Sequence, residues 1–276
     1  MDTVSAPVVV AVDGSETARR AVAWAAAEAA RRHVGLRIVY AIGLPDISPG
    51  SKLYPPPEWF DAQREVAKTV LADAAEAADE AAPGIDVTTE PRENAPLDVL
   101  LDASTRAKIL VLGEPAGVLT GLLSGSPAAR VASDALCPVV IVRGSEVAGP
   151  VVVGVDAGAA NEAAIEAAFT EASMAGDSLV AVHVQRDDES EPADRALADQ
   201  LAGWRQKFPD VSVEQVVPRG KPRQRLIDWS AKARLMVVGS RGHGGFAGLL
   251  LGSTSHALLH HADCPVMIVR TPERRS

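Results

Sequence analysis

Cysteine is scarce. Cys137 and Cys264 are the only two in 276 residues, and two cannot make the disulfide framework of a small secreted scaffold. No apolar run approaches the roughly 18 residues that a membrane span needs, so no membrane association is expected. The opening residues, Met1-Asp2-Thr3-Val4-Ser5, carry neither the basic nor the apolar region of a secretion signal. Cations are outnumbered, 27 Lys and Arg against 36 Asp and Glu, for a net charge of −9. That balance excludes a general nucleic-acid binder, whose affinity rests on neutralising phosphates. A Walker-type G-x4-G-K-(S/T) loop is missing, because Gly220-Lys221-Pro222 has neither the spacing nor the hydroxyl. Ser15 and Ser126 have no histidine at a repeated companion position, so no nucleophile and base are paired. These absences leave a cytoplasmic protein without a recognisable catalytic pair.

Apolar residues are abundant, at 47%, enough for sizeable cores, and the length suits two domains. Along the chain short apolar runs alternate with helical patterns. The first half reads as strands at 8–12, 36–42, 85–89, 109–112 and 138–142. Helices fall between them at 16–32, 58–82, 97–106 and 127–135, with a Pro-, Gly- and Ser-rich loop over 44–57. The pattern then restarts. Val151 to Val155 ends on Asp156 as Val8 to Val12 ends on Asp13, and Cys264-Pro265-Val266-Met267-Ile268-Val269-Arg270 repeats Cys137-Pro138-Val139-Val140-Ile141-Val142-Arg143. The two spacings, 143 at the aspartates and 127 at the cysteines, differ because the first copy has the longer loop and helix after its second strand. The chain therefore reads as a tandem duplication, with domains 1–146 and 147–276. Strands that are apolar throughout and alternate with helices predict parallel sheets covered on both faces, with five strands in each doubly wound copy.

The most informative stretch runs from Leu235 to Arg270: a buried strand, a loop rich in glycine from Gly239 to Gly248, a helix and a last strand. Glycines let a ligand approach the backbone. Ser253, Thr254 or Ser255 is placed to cap the helix. Free N–H groups and the positive dipole end at such a start favour an anion, here a nucleotide phosphate, and Arg241 adds charge. The spacing Gly239-x2-Gly242-x9-Gly252-Ser253 resembles the G-x2-G-x9-G-(S/T) signature of the universal stress protein family, and the likeness extends over nearly the whole chain.

That resemblance implies several expectations. The fold is two adenine nucleotide alpha hydrolase-like sheets of strand order 3-2-1-4-5, packed along their last strands as a pseudo-dimer; assembly into a homodimer is a further expectation. The ligand is an adenine nucleotide, ATP, with Mg²⁺ as companion, and its occupancy modulates conformation or partner binding in a stress response. The alternatives are a nucleotide-independent dimerisation or scaffold protein, and a weak ATPase capable at most of slow hydrolysis. Asp13 and Asp156 stand where the family places a carboxylate near the ribose or phosphates; an Asx-type turn is the plain reading of the same residues. Ala41 and Val184, with Tyr40 and His183 before them, stand where backbone groups meet the adenine. Gly239, Arg241, Gly242, Gly252, Ser253 and Thr254 form the phosphate side of the second copy, and Gly113, Gly125 and Ser126 that of the first.

The first copy departs from the signature. Ala116 replaces the second glycine, one residue is missing between Gly113 and Gly125, and Glu114-Pro115 stands in place of Ser240-Arg241. A carboxylate repels phosphate and proline removes a donor, so this copy is expected to bind nucleotide weakly or not at all. The second copy has Asp156-Ala157-Gly158 in place of Asp13-Gly14-Ser15. Gly242 to Ala247 matches a dinucleotide G-x-G-x-x-A, but after the wrong strand for that motif. His260-His261 does not read as a metal site, because neighbours on a helix point about 100° apart. Cys137, Cys264 and the four tryptophans read as packing residues.

Overall fold

The structure, a computed structural model, describes residues 5–43, 56–114, 127–144, 148–156, 161–186, 193–241 and 251–270. The chain forms two compact units, one comprising 1–121 with 135–137, the other 122–134 with 138–276.

In the first unit the strands are β1 (Val8–Val12), β2 (Leu36–Ala41), β3 (Val87–Arg92) and β4 (Ile109–Gly113), and the helices are α1 (Glu16–Arg32), α2 (Pro57–Ala81) and α3 (Pro96–Ser104). The strands lie in the order β3-β2-β1-β4 and every pairing is parallel. Val8, Val9 and Val10 of β1 are fully buried, as expected for a central strand covered on both faces. The inner face of α1 is mostly alanine, which lets the helix lie close to β1 and β4. It begins on Ser15, whose Oγ accepts from Ala18 N at 3.2 Å, and ends on His33 in the left-handed conformation, φ 53°, a standard helix stop.

One strand lies later in the sequence than its residues imply. The third was expected at Ile85 to Thr89 but occupies Val87–Arg92. It is an edge strand of mixed polarity, so its limits follow from pairing with β2, from Leu36 against Val87 to Ala41 against Arg92, rather than from an apolar run. Pro91 is tolerated there because an edge strand has a side without a ladder.

The second unit contains α4 (Pro127–Asp134) and β5 (Val139–Val142), then β6 (Val151–Val155), α5 (Glu162–Ala175), β7 (Leu179–His183), α6 (Ala193–Lys207), β8 (Val213–Val216), α7 (Pro222–Ser230), β9 (Leu235–Gly239), α8 (Ser253–His261) and β10 (Val266–Val269). Its strand order is β5-β10-β9-β6-β7-β8. The second repeat thus has the full 3-2-1-4-5 order, with parallel pairing throughout. Among the described strand pairs of this unit, β5 against β10 alone is antiparallel, Val266 facing Ile141 and Ile268 facing Val139. So β5, the last strand of the first repeat, is counted with the second unit. The repeated terminal arginines act reciprocally there. Arg143 after β5 donates to the Leu258 carbonyl of α8 at 3.2 Å, and Arg270 after β10 donates to the Asp134 carbonyl of α4 at 3.1 Å. Phe169 of α5 stacks with Trp204 and Phe208 at the end of α6, 6.3 and 5.5 Å between ring centroids.

Candidate functional site

In the second unit β6 pairs with β9 only over Val151 to Val153, although β6 runs to Val155 and β9 to Gly239. Their ends leave the ladder, and the chain winds outward from them in opposite directions, toward β7 on one side and β10 on the other. Parallel sheets bind ligands at such a reversal, outside the carboxyl ends of the strands.

Asp156 follows β6 directly. Its carbonyl accepts from Asn161 Nδ2 at 2.9 Å. Asn161 is buried, and its Oδ1 lies 3.5 Å from where a side chain on Gly239 would begin. The Gly239 carbonyl accepts from the buried Ser255 Oγ at 2.7 Å. Ser240 N donates to Val269 O at 2.8 Å, and Gly252 N donates to Ser240 O at 2.9 Å. This last bond pins the two ends of the glycine loop together and brings Gly252, Ser253 and Thr254 to the end of β9. Arg241 is exposed beside them, and Gly242 lies outside the described residues.

One expectation is corrected here. Ser253, Thr254 and Ser255 do not cap α8: its N-cap is Gly252, with no side-chain acceptor. Ser253 is already the first helical residue, and the Ser255 hydroxyl is turned inward to Gly239. The helix start therefore presents N–H groups that no side chain caps, the condition under which a helix N-terminus holds an anion.

On the other flank, His183 ends β7 and its Nδ1 lies 3.1 Å from Val155 O. A carbonyl only accepts, so Nδ1 is the donor, and the ring serves to tie β7 to β6. Val184 follows, buried.

In the first unit, Asp13, Ala41 and Gly113 occupy the corresponding ends of β1, β2 and β4; Gly125 and Ser126 lie outside the described residues. Asp13 Oδ1 accepts from Ser15 N at 2.9 Å, an Asx turn, made with Gly14 at φ +84°. Gly113 has a packing reason to be glycine. A Cβ there would lie 2.7 Å from the Thr17 carbonyl and 2.9 Å from Ala18 N, so the start of α1 rests on it. A groove of about 370 Å³ opens between α1 and α2, with Val12, Ala18 and Val70 on its floor and Glu16, Asp73 and Glu76 around it. Among the described residues that line it, those three carboxylates outnumber the one cation, Arg19, so the groove is unfavourable for phosphate.

Both cysteine thiols are inert. Burial pushes Cys137 up to about 11 and Cys264 up to about 12, so neither forms a thiolate near neutrality.

The structure therefore gathers Asp156, Gly239, Gly252 and Ser253 around one strand-end crevice. It adds two residues whose part in the site the chain alone did not suggest, Asn161 and Ser240, and gives Ser255, a candidate cap in the sequence, a different partner, the Gly239 carbonyl. Asn161 left one trace, since the first repeat has Ala18 at the matching distance from Asp13. Ser240 left none, because its bonds are made by its backbone amide and carbonyl, to Val269 O and from Gly252 N.

Fold and crevice define a tandem α/β protein with the doubly wound topology of nucleotide-binding domains. The model of the universal stress protein family matches residues 6–143 and again 148–270, and the chain belongs to that family. It is 35% identical over 285 residues to a universal stress protein of Mycobacterium tuberculosis strain H37Rv, covering 95% of this chain and 96% of that one. A universal stress protein of Mycolicibacterium smegmatis is 36% identical over 284 residues, again with 95% and 96% covered. Among solved structures, a universal stress protein from Archaeoglobus fulgidus superposes with a TM-score of 0.76 at 21% identity, covering 97% of this chain and 99% of that chain. That likeness establishes the fold.

Proposed function

We propose that the second repeat binds ATP at the crevice between β6 and β9, and that occupancy regulates the protein's conformation or its affinity for a partner in a stress response. The observation that carries this reading is the side-chain-uncapped start of α8, held at the end of β9 by the Gly252–Ser240 and Ser255–Gly239 bonds. The amides of Ser253 and Thr254, with Arg241 and Gly242, would receive the phosphates. Gly239 leaves the backbone bare, Asp156 meets ribose hydroxyls or a Mg²⁺ shell, and the main chain at Val184 meets the adenine. Asn161 holds the Asp156 backbone in place. In the first repeat, Asp13 and Ala41 would take the same roles beside Gly113, Gly125 and Ser126. There α4 begins on Pro127, which has no N–H to offer, and β4 ends beside Glu114. These features favour a nucleotide-independent structural role for that copy. We also propose a cytoplasmic location and domain limits of 1–146 and 147–276.

The test is a thermal-shift titration with ATP and Mg²⁺. Binding stabilises the folded chain by about 2.7 kcal/mol at about a hundredfold excess over Kd. Ser253→Glu places a carboxylate where the phosphates would sit, yet a negative charge suits a helix start. This variant should keep its melting temperature without ligand and lose the response to ATP. No shift in the unmodified chain at millimolar ATP and Mg²⁺ overturns the reading.

A further inference from the structure

We propose that His256 and His260 form a two-histidine chelate for a transition-metal dication of the Zn²⁺, Ni²⁺ or Cu²⁺ class. The two residues are four apart on α8, so their side chains lie on one face, one turn apart. Their ring centroids are 4.7 Å apart, with the planes inclined at 53°. His256 is exposed and His260 half-buried, so an ion held between them keeps access to water for its remaining positions. His260 lies in the last turn of α8, at the negative end of the helix dipole, which favours a cation. The adjacent pair His260-His261 is a poorer chelate, with rings 6.3 Å apart pointing along different directions. The partner of His260 is therefore one turn back in the helix, not next to it in sequence.

The donor set decides the metal class. Imidazole nitrogens suit Zn²⁺, Ni²⁺ and Cu²⁺, whereas Mg²⁺ and Ca²⁺ require oxygen ligands. Among the described residues no group of three or more His, Cys, Asp or Glu side chains could hold a metal ion. The site is thus an open chelate with exchangeable ligands rather than a closed structural centre. An ion bridging His256 and His260 ties the first turn of α8, which starts at Ser253 after the N-cap Gly252, to its last turn.

The test uses the full chain, with NiCl₂ and ZnCl₂ as probes and MgCl₂ as the hard-cation control, read by isothermal titration and by melting temperature. A single Ni²⁺ or Zn²⁺ per chain should bind and raise the melting temperature, and Mg²⁺ without nucleotide should do neither. His256→Ala and His260→Ala should each weaken binding about tenfold or more, and His261→Ala should leave it unchanged. His256 is exposed, so its replacement tests the site without disturbing the core; an unchanged melting temperature without metal verifies this. The proposal is overturned if the unmodified chain does not respond to Ni²⁺ or Zn²⁺, if the response survives both His256→Ala and His260→Ala, or if it disappears in His261→Ala.

Discussion

Two glycines show how the same residue carries opposite consequences. Gly113 abuts the backbone of Thr17 and Ala18, and backbone cannot yield as the end of a flexible side chain can. At Gly203, within α6, an added Cβ would meet nothing within 4 Å. Gly113→Ala should therefore destabilise by about 1–3 kcal/mol through overpacking, while Gly203→Ala should stabilise by about 0.5–1 kcal/mol through helix propensity. Urea denaturation of both variants checks the contrast. Glu28 is a second case. It is fully buried in α1 and bonded to Arg31 and Arg32. Burial raises its pKa, but the guanidiniums of Arg32 and Arg31 outweigh burial and hold the carboxyl below the usual range. A depressed folded pKa means that the stabilisation is complete above the unfolded value and is lost as pH falls through the folded one. Glu28→Gln should cost about 1–3 kcal/mol near neutrality. The variant should also lose less stability than the unmodified chain as pH is lowered into the acid range, measured by denaturant melts across pH. Neither role was legible from the chain. Gly113 was read as a phosphate glycine, because the atoms that crowd it belong to an element nearly a hundred residues earlier.

At the scale of the element, the two helices that begin beside strand ends differ in their first turn. Ser15 caps α1, whereas nothing on a side chain caps α8. Ser15→Ala should cost about 0.5–2 kcal/mol, and Ser253→Ala should leave stability nearly unchanged; thermal melts of the two variants make the comparison. Equal losses would refute the assignment of caps. Helix and central-strand positions were readable because their apolar spacing repeats at the period of the element; α1 and β1 fall where their residues placed them. The helix ends and edge strands were not. Helix α7 stops at Ser230, where Ser230 Oγ donates to Ile227 O and accepts from Asp263 N. Ser104 makes the matching pair of bonds at the end of α3, to Leu101 O and from Leu136 N. A serine that both ends a helix and receives a distant amide gives no local signal.

For the whole molecule, the consequential feature is β5. By repeat it belongs with residues 1–146, yet it pairs with β10 and is grouped with the second unit. Cutting the chain at the repeat boundary would strip β10 of this partner and expose its backbone groups, and an uncovered edge recruits another strand. A fragment 147–276 should therefore self-associate as its concentration rises, in size-exclusion chromatography and small-angle scattering. A fragment that stays monomeric at every concentration would show that the bared β10 edge does not recruit a partner.

Within residues 5–270, the amino-acid order alone determined the duplication, the alternation of strand and helix, the placement of aspartate and glycine at strand ends and the family. Each of these is written in neighbours or in a repeat that can be compared with itself. Only the tertiary structure decided that β5 pairs antiparallel with β10, that Asn161 and Ser255 brace the crevice, that α8 starts without a side-chain cap and that His260 faces His256. Those outcomes depend on which distant backbone groups and side chains arrive at the same place, and a buried donor or acceptor takes whichever partner packing brings within reach.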